Sequence, residues 1–203
     1  MKQKIAFLSA GCILLLLAFA LPAQSCVGRI LTLSIDNTVE QKLIGQLLAT
    51  YITERTGTTV NLTTVLDVKA SEDLIAQCKA DIFLNYIKVG MAGMGDADTT
   101  ADTQESYSLV KQYYLEKDNM VWLKPLGYKG PLQESAGKGT TGLSLAVPVT
   151  TKDVLDRFPV LDRVINKLSG RIDDRTIQQL IQKAQTEGVK VAVKGFLKAQ
   201  NLI

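Results

Sequence analysis

No histidine occurs in this chain, so the commonest general base and metal ligand is missing. The carboxylates Asp36, Glu40 and Asp81 each have a structural reading. Asp36 belongs in a turn, Glu40 in the first turn of a helix, and Asp81 at the start of a strand. No nucleophile elbow and no cluster of metal ligands is present, which makes an enzyme the weakest reading. Gly-Lys-Gly-Thr-Thr at 137–141 imitates a phosphate loop but lacks its spacing, and reads as a linker. Among aromatics, Tyr86 ends an apolar run, where packing against the core is the ordinary role. Tyr107, Tyr113, Tyr114 and Trp122 fall at helix and strand spacings that core packing explains. Gln41, taken alone, is a first-turn helix residue.

The elements that must position these groups follow from periodicity. Ile30–Ile35 alternates and is β-rich, so it reads as a strand. Asp36-Asn37-Thr38 forms a turn able to cap the next segment. Val39, Leu43, Ile44, Leu47, Leu48, Tyr51 and Ile52 recur at helical spacing, and Gly57 closes that helix. Residues 60–66 read as a second strand. Ser71 is expected to cap a helix running to about Lys79, with Glu72 and Asp73 in its first turn. Residues 81–87 form a third, buried strand. This strand–helix alternation implies parallel pairing with right-handed crossovers.

Residues 90–104 are rich in glycine, aspartate and threonine and read as a loop. A helix over 106–116 and a short strand stopped by Pro125 follow. Residues 127–142 read as a flexible connection, and 143–149 as a strand. Thr150 or Thr151 caps a short helix, Pro159 opens the next, and Asp173 caps a third that stops at Gly188. The tail is ambiguous: Val189–Lys194 alternates like a strand, while Val193, Phe196, Leu197 and Leu202 suit a helix.

The amino-terminal residues set the compartment. Lys2 and Lys4 precede an uncharged stretch, Ile5–Ala23, followed by Ala23-Gln24-Ser25 and Cys26. This is the layout of a secretory leader over residues 1–25. Three readings stay open: lipidation of Cys26, ordinary cleavage after Ser25, and an uncleaved anchor, since about 20 apolar residues span a bilayer. A lipid on Cys26 would tether the protein near a membrane partner. Cys12 leaves with the leader, and if Cys26 is lipidated Cys78 has no partner, which makes a disulfide framework the weaker reading. The helical spacing of Cys78 suggests a small buried apolar residue.

From Cys26 onward 178 residues remain of the 203, the size of one ordinary domain. Removing the two leader lysines from 23 basic residues leaves 21 against 20 acids. A balance of +1 gives no nucleic-acid footprint.

Several segments together resemble the glycine betaine/choline/carnitine-binding proteins of ABC importers. These are Thr38-Val39-Glu40-Gln41, Gly45-Gln46-Leu47-Leu48-Ala49 and Glu54-Arg55-Thr56-Gly57. They continue with Ala80-Asp81-Ile82-Phe83-Leu84-Asn85-Tyr86, Trp122-Leu123-Lys124-Pro125-Leu126-Gly127-Tyr128 and Pro148-Val149-Thr150-Thr151-Lys152-Asp153-Val154-Leu155. The matches cover most of residues 30–128 and 143–203. The resemblance implies an α/β fold of the type II periplasmic-binding-protein kind, its sheet mostly parallel and flanked by helices, with a helical tail from Val191. It also implies that the second lobe is missing, since residues 128–143 leave only a short connection where that lobe would stand.

The resemblance further implies extracytoplasmic capture of a quaternary amine, with an ABC permease or another extracytoplasmic protein as partner and no cofactor. A quaternary ammonium donates no hydrogen bonds and is held by the faces of aromatic rings. Tyr86 matches the family's first-lobe cage tyrosine and Gln41 a polar contact at the helix start. Departures weaken the site: Ile87-Lys88-Val89 stands where the family tends to have Thr-Gly-Thr, and Lys88 would repel a cation. The alternative is a single-lobe module, derived from such a protein, that binds another protein through the face the deletion leaves.

Overall fold

The structure is a computed structural model and describes residues 30–95, 104–131 and 143–203. The first half is β1 (Ile30–Ile35), α1 (Val39–Thr56), β2 (Thr59–Thr64), α2 (Val68–Ala76) and β3 (Ile82–Tyr86). Next come α3 (Ile87–Gly93), α4 (Gln104–Asp118), β4 (Met120–Trp122), β5 (Lys129–Pro131) and β6 (Leu143–Thr151). Four helices finish the chain: α5 (Lys152–Arg157), α6 (Leu161–Asn166), α7 (Asp174–Glu187) and α8 (Val189–Ala199).

The strands form one sheet in the order β2-β1-β3-β6-β4, with β5 paired to β6 off that path. β1 pairs in parallel with β2 and β3, whereas β6 pairs antiparallel with β3, β4 and β5. Along the main path four strands therefore share one direction and β6 alone is reversed. The sheet is mixed in its pairing and mostly parallel in direction, as expected for the fold class.

Alternation along the strands assigns the faces. Leu33 and Ile35 of β1 point at α1, where a Cβ on Gly45 would sit 2.7 Å from Ile35 Cγ2. Ser34, between them, points the other way and meets Ser71 of α2 at 2.8 Å. In β3 the same alternation sends Asn85 to Glu72 of α2 (3.1 Å) and Tyr86 to Gln41 of α1. Helices thus cover both faces, and a single buried cluster runs from Leu31 to Leu202.

Caps explain where the helices begin. Thr38 accepts from Gln41 N, Thr151 from Val154 N and Asp173 from Thr176 N, and each satisfies an otherwise orphaned first-turn donor. The helix expected to start at Ser71 starts instead at Val68, because Asp67 accepts from Ala70 N (2.8 Å). Ser71 spends its hydroxyl on Ser34, inside the fold.

Three further expectations change. Residues 90–93 of the supposed loop belong to helix α3, which already begins at Ile87. A Cβ on Gly90 would lie 2.6 Å from Val110 and 2.7 Å from Trp122, so this glycine permits close packing rather than a turn. Cys78 is exposed, not buried. α2 stops at Ala76, and Cys78 takes a left-handed φ of 55° that turns it outward. Pro159 precedes α6 by two residues instead of opening its first turn. The tail resolves as helix α8, which buries Ala192, Val193 and Leu197.

Of the supposed flexible connection, Lys129–Pro131 forms β5, and residues 132–142 lie outside the described residues. So do the leader and Cys26. Among the described residues, no helix is long and apolar enough to cross a membrane.

Candidate functional site

The strand order places a switch point between β1 and β3. β1 leads through α1 to β2 on one side, and β2 leads through α2 to β3 on the other. Crossovers that part in this way leave a crevice at the carboxyl ends of the strands, where open α/β sheets bind ligands. Tyr86 ends β3 there, and the first turn of α1 enters there.

Tyr86 and Gln41, 45 residues apart, meet at this end of the sheet: Gln41 Nε2 donates to Tyr86 Oη at 3.2 Å. Both are buried, at 5% and 2% exposure. The Thr38 cap fixes the first turn of α1 and so aims Gln41 inward, while Asp36 accepts from Thr38 N at 2.8 Å and so fixes the cap. The opposite end of the Gln41 amide is different. Among the described residues, Gln41 Oε1 is buried and finds no hydrogen-bond partner. An unmade bond at a buried acceptor costs about 1–3 kcal/mol.

Tyr128 adds a second ring. Gly127 takes φ of 111°, and a Cβ there would lie 3.3 Å from Gly170 Cα and from Ile172 O. That turn docks the chain on Ile172 and carries Tyr128 back to the sheet, where its carbonyl accepts from Ala146 N (2.9 Å). The next residue, Lys129, donates its amide to Asp174 Oδ1 at 2.7 Å. Gly130 then closes over both rings. A Cβ on it would lie 2.6 Å from Tyr86 Cε1, 2.7 Å from Tyr86 Oη and 3.0 Å from Tyr128 Cε1.

The charges that bear on these rings are negative. Burial is the main reason the Tyr86 hydroxyl is pushed up to about 12; the Gln41 hydrogen bond opposes the shift, and Asp36 and Glu40 add to it. Tyr128 is also pushed well up, first by burial and then by Tyr86, Glu40, Asp174 and Asp36. Both phenols stay neutral at physiological pH. The carboxylates among these groups attract a cation. At the start of α3 the backbone amide of Lys88 donates to Ser144 Oγ at 3.1 Å.

The remaining candidates are structural. Asp81 Oδ2 accepts from Thr32 N (2.7 Å), and its Oδ1 pairs with Arg157 at 2.5 Å. These groups border a concavity of about 330 Å³ with Cys78, Asp118 and Asn119. It lies at the amino end of β3, the end opposite Tyr86. Tyr107, Tyr114 and Trp122 are buried in the core, as their spacing predicts. Among the described residues no group of acids and cysteines is placed to hold a metal ion.

Sequence reasoning named Tyr86 and Gln41, which the structure brings together, and did not name as site residues Tyr128, Asp36, Glu40 and Gly130, which bear on them. Tyr128 stood at the end of a matching segment, and its distance from Tyr86 in the chain hid their approach. Asp36 and Glu40 were legible only in their turn and helix roles.

No protein-family profile matches the chain, and no curated protein sequence does. Solved structures do. One is described as a glycine betaine/carnitine/choline ABC transporter: TM-score 0.72, 14% identity, covering 86% of this chain and 99% of that one. Apo YehZ from Escherichia coli aligns with the same score and identity over 85% of this chain and 99% of its own. DctP7, an extracytoplasmic solute receptor of Bordetella pertussis binding pyroglutamic acid, aligns at TM-score 0.51 and 9% identity over 82% of this chain and 85% of its own. At these identities the likeness establishes the fold: a single lobe of the periplasmic-binding-protein kind.

Proposed function

We propose that this protein is an extracytoplasmic solute-binding component of an importer, and that Tyr86 and Gln41 take a small organic ammonium ion of the glycine betaine, choline and carnitine class. The carrying observation is the Gln41–Tyr86 contact and the groups gathered about it. Two tyrosine rings, a glutamine amide and the field of Asp36 and Glu40 converge at the switch point of the sheet. Ring faces and nearby carboxylates both attract a cation, and each ring contact is worth about 0.5–2 kcal/mol.

The fold it shares with transporter-associated binding proteins supports a membrane permease as partner. The leader layout supports export, and a lipid on Cys26 would hold the protein at the membrane. Cys26→Ser should then release it into the soluble extracytoplasmic fraction, and unchanged membrane retention would point to an intact anchor instead.

The site is a reduced one. Lobe two would be inserted between β5 and β6, where residues 132–142 now connect them, so one wall of a cleft is lacking. Gly130 also lies on the edge of Tyr86 that a ligand would approach, and β5 must shift to admit one. The same covering supports the second reading, a single-lobe module that docks on another protein without capturing a solute.

Thermal unfolding with millimolar glycine betaine, choline, carnitine and proline betaine separates the two. A ligand at 100 times its Kd stabilises by about 2.7 kcal/mol and raises the midpoint. A flat response to all four, and to the N–H-bearing N,N-dimethylglycine run beside them, rejects solute capture and favours the docking module.

A further inference from the structure

Ammonium compounds divide by whether the nitrogen keeps an N–H. A fully methylated nitrogen offers only charge, which the rings and carboxylates can meet. A nitrogen with a hydrogen also needs an acceptor, and a buried acceptor needs a donor. Gln41 supplies that second condition. Its Nε2 is committed to Tyr86 Oη, and its Oε1 is buried without a partner among the described residues. That oxygen stands at the hydroxyl end of Tyr86, inside the negative field that draws a cation.

We infer that Gln41 makes this site select ammonium ions that retain an N–H over fully methylated ones. The inference rests on the cation-site reading above. With an N–H present, the cation donates to Gln41 Oε1 while its charge lies against the Tyr86 and Tyr128 rings. The bond is charge-assisted and therefore stronger than a neutral one. A quaternary nitrogen in the same place puts methyl groups against the carbonyl, leaving the oxygen desolvated and unbonded. Sites built to bond a ligand hydrogen reject analogues that lack it for this reason.

The test is a methylation ladder that keeps the carboxylate and the charge constant: glycine, N-methylglycine, N,N-dimethylglycine and glycine betaine. Binding to the purified protein is measured by calorimetry. N,N-dimethylglycine should bind at least about tenfold more tightly than glycine betaine, the step at which the last N–H is lost. In Gln41→Met, which keeps the bulk and removes the acceptor, that step should vanish. The wild-type ladder stands as a test even if the variant does not fold.

Glycine betaine binding as tightly as N,N-dimethylglycine overturns the inference and leaves the cation site standing. Acetate binding as tightly as N,N-dimethylglycine overturns it as well, since the amide would then be turned to offer its N–H to an acceptor. No binding by any of these compounds, or by choline or carnitine, overturns the cation site and the inference together.

Discussion

Polar side chains drawn out of water divide here into those that are satisfied and those that carry a cost, and the partly buried Glu72 belongs to the second group. Asn85 Nδ2 donates to it at 3.1 Å and Lys69 approaches at 3.6 Å. Burial still wins, and its carboxyl is held above the usual range; Lys69 and the Asn85 bond pull the other way. A carboxyl with a raised folded-state pKa contributes stability that is complete below its unfolded value and is lost as pH rises through the folded one. Glu72→Gln should therefore raise the melting midpoint at neutral pH, by about 2–4 °C per kcal/mol recovered. The gain should shrink to nothing below about pH 4. Asn85 keeps an acceptor in the glutamine, and Lys69 keeps Asp73 at 3.1 Å. A lower midpoint for the variant at pH 7 would show that the Lys69 attraction outweighs burial. Nothing in the sequence marked Glu72 for this: Ser71-Glu72-Asp73 reads as a helix first turn. Its burial comes from α2 beginning three residues earlier, at Val68, and from Asn85 lying on the face of β3 that α2 covers.

At the scale of elements, what was legible depended on how local the deciding interaction is. β1, α1 and their caps follow from alternation, helical spacing and one hydroxyl, all within a few residues. α3 was misread because Gly90 and Gly93 look like punctuation, when Gly90 answers to Val110 and Trp122, 20 and more residues away. β5 was misread for a related reason. A Gly-Pro pair in a polar stretch signals a turn, but its register with β6 pairs Gly130 with Ser144 and seats the glycine on Tyr86. Gly130→Ala tests that seat. Gly130 does not adopt a positive φ, so the backbone tolerates alanine and the cost is steric. A methyl group 2.6 Å from Tyr86 Cε1 must displace the ring or the strand. Overpacking of this kind costs about 1–3 kcal/mol. The variant should melt lower than the wild type and lose affinity for the ammonium ligand, because Tyr86 is pushed against Gln41. An unchanged midpoint with stronger binding would mean that β5 already stands off the ring in solution.

For the whole molecule, fold and capture separate. A two-lobed binding protein closes by hinge motion between lobes, and that closure is a change of overall shape. Here one sheet carries one buried cluster, and every residue of the crevice — Asp36, Glu40, Gln41, Tyr86, Tyr128, Gly130 — hangs on that sheet or on the α1 turn. Among the described residues there is no second body for a ligand to draw in. On the proposed reading β5 is the part that must shift for a ligand, a strand of three residues held by its ladder to β6 and by the Lys129–Asp174 hydrogen bond. A compact chain running from Cys26 to Ile203 should have a radius of gyration of about 16 Å. Small-angle scattering should give that value both without ligand and with saturating N,N-dimethylglycine, to within about 1 Å, even as the melting midpoint rises. Contraction on ligand binding would require a moving second body, and would replace the single-lobe description with closure between two parts. A larger radius in both states, falling on dilution, would instead identify a second copy set against the crevice, and with it the missing wall.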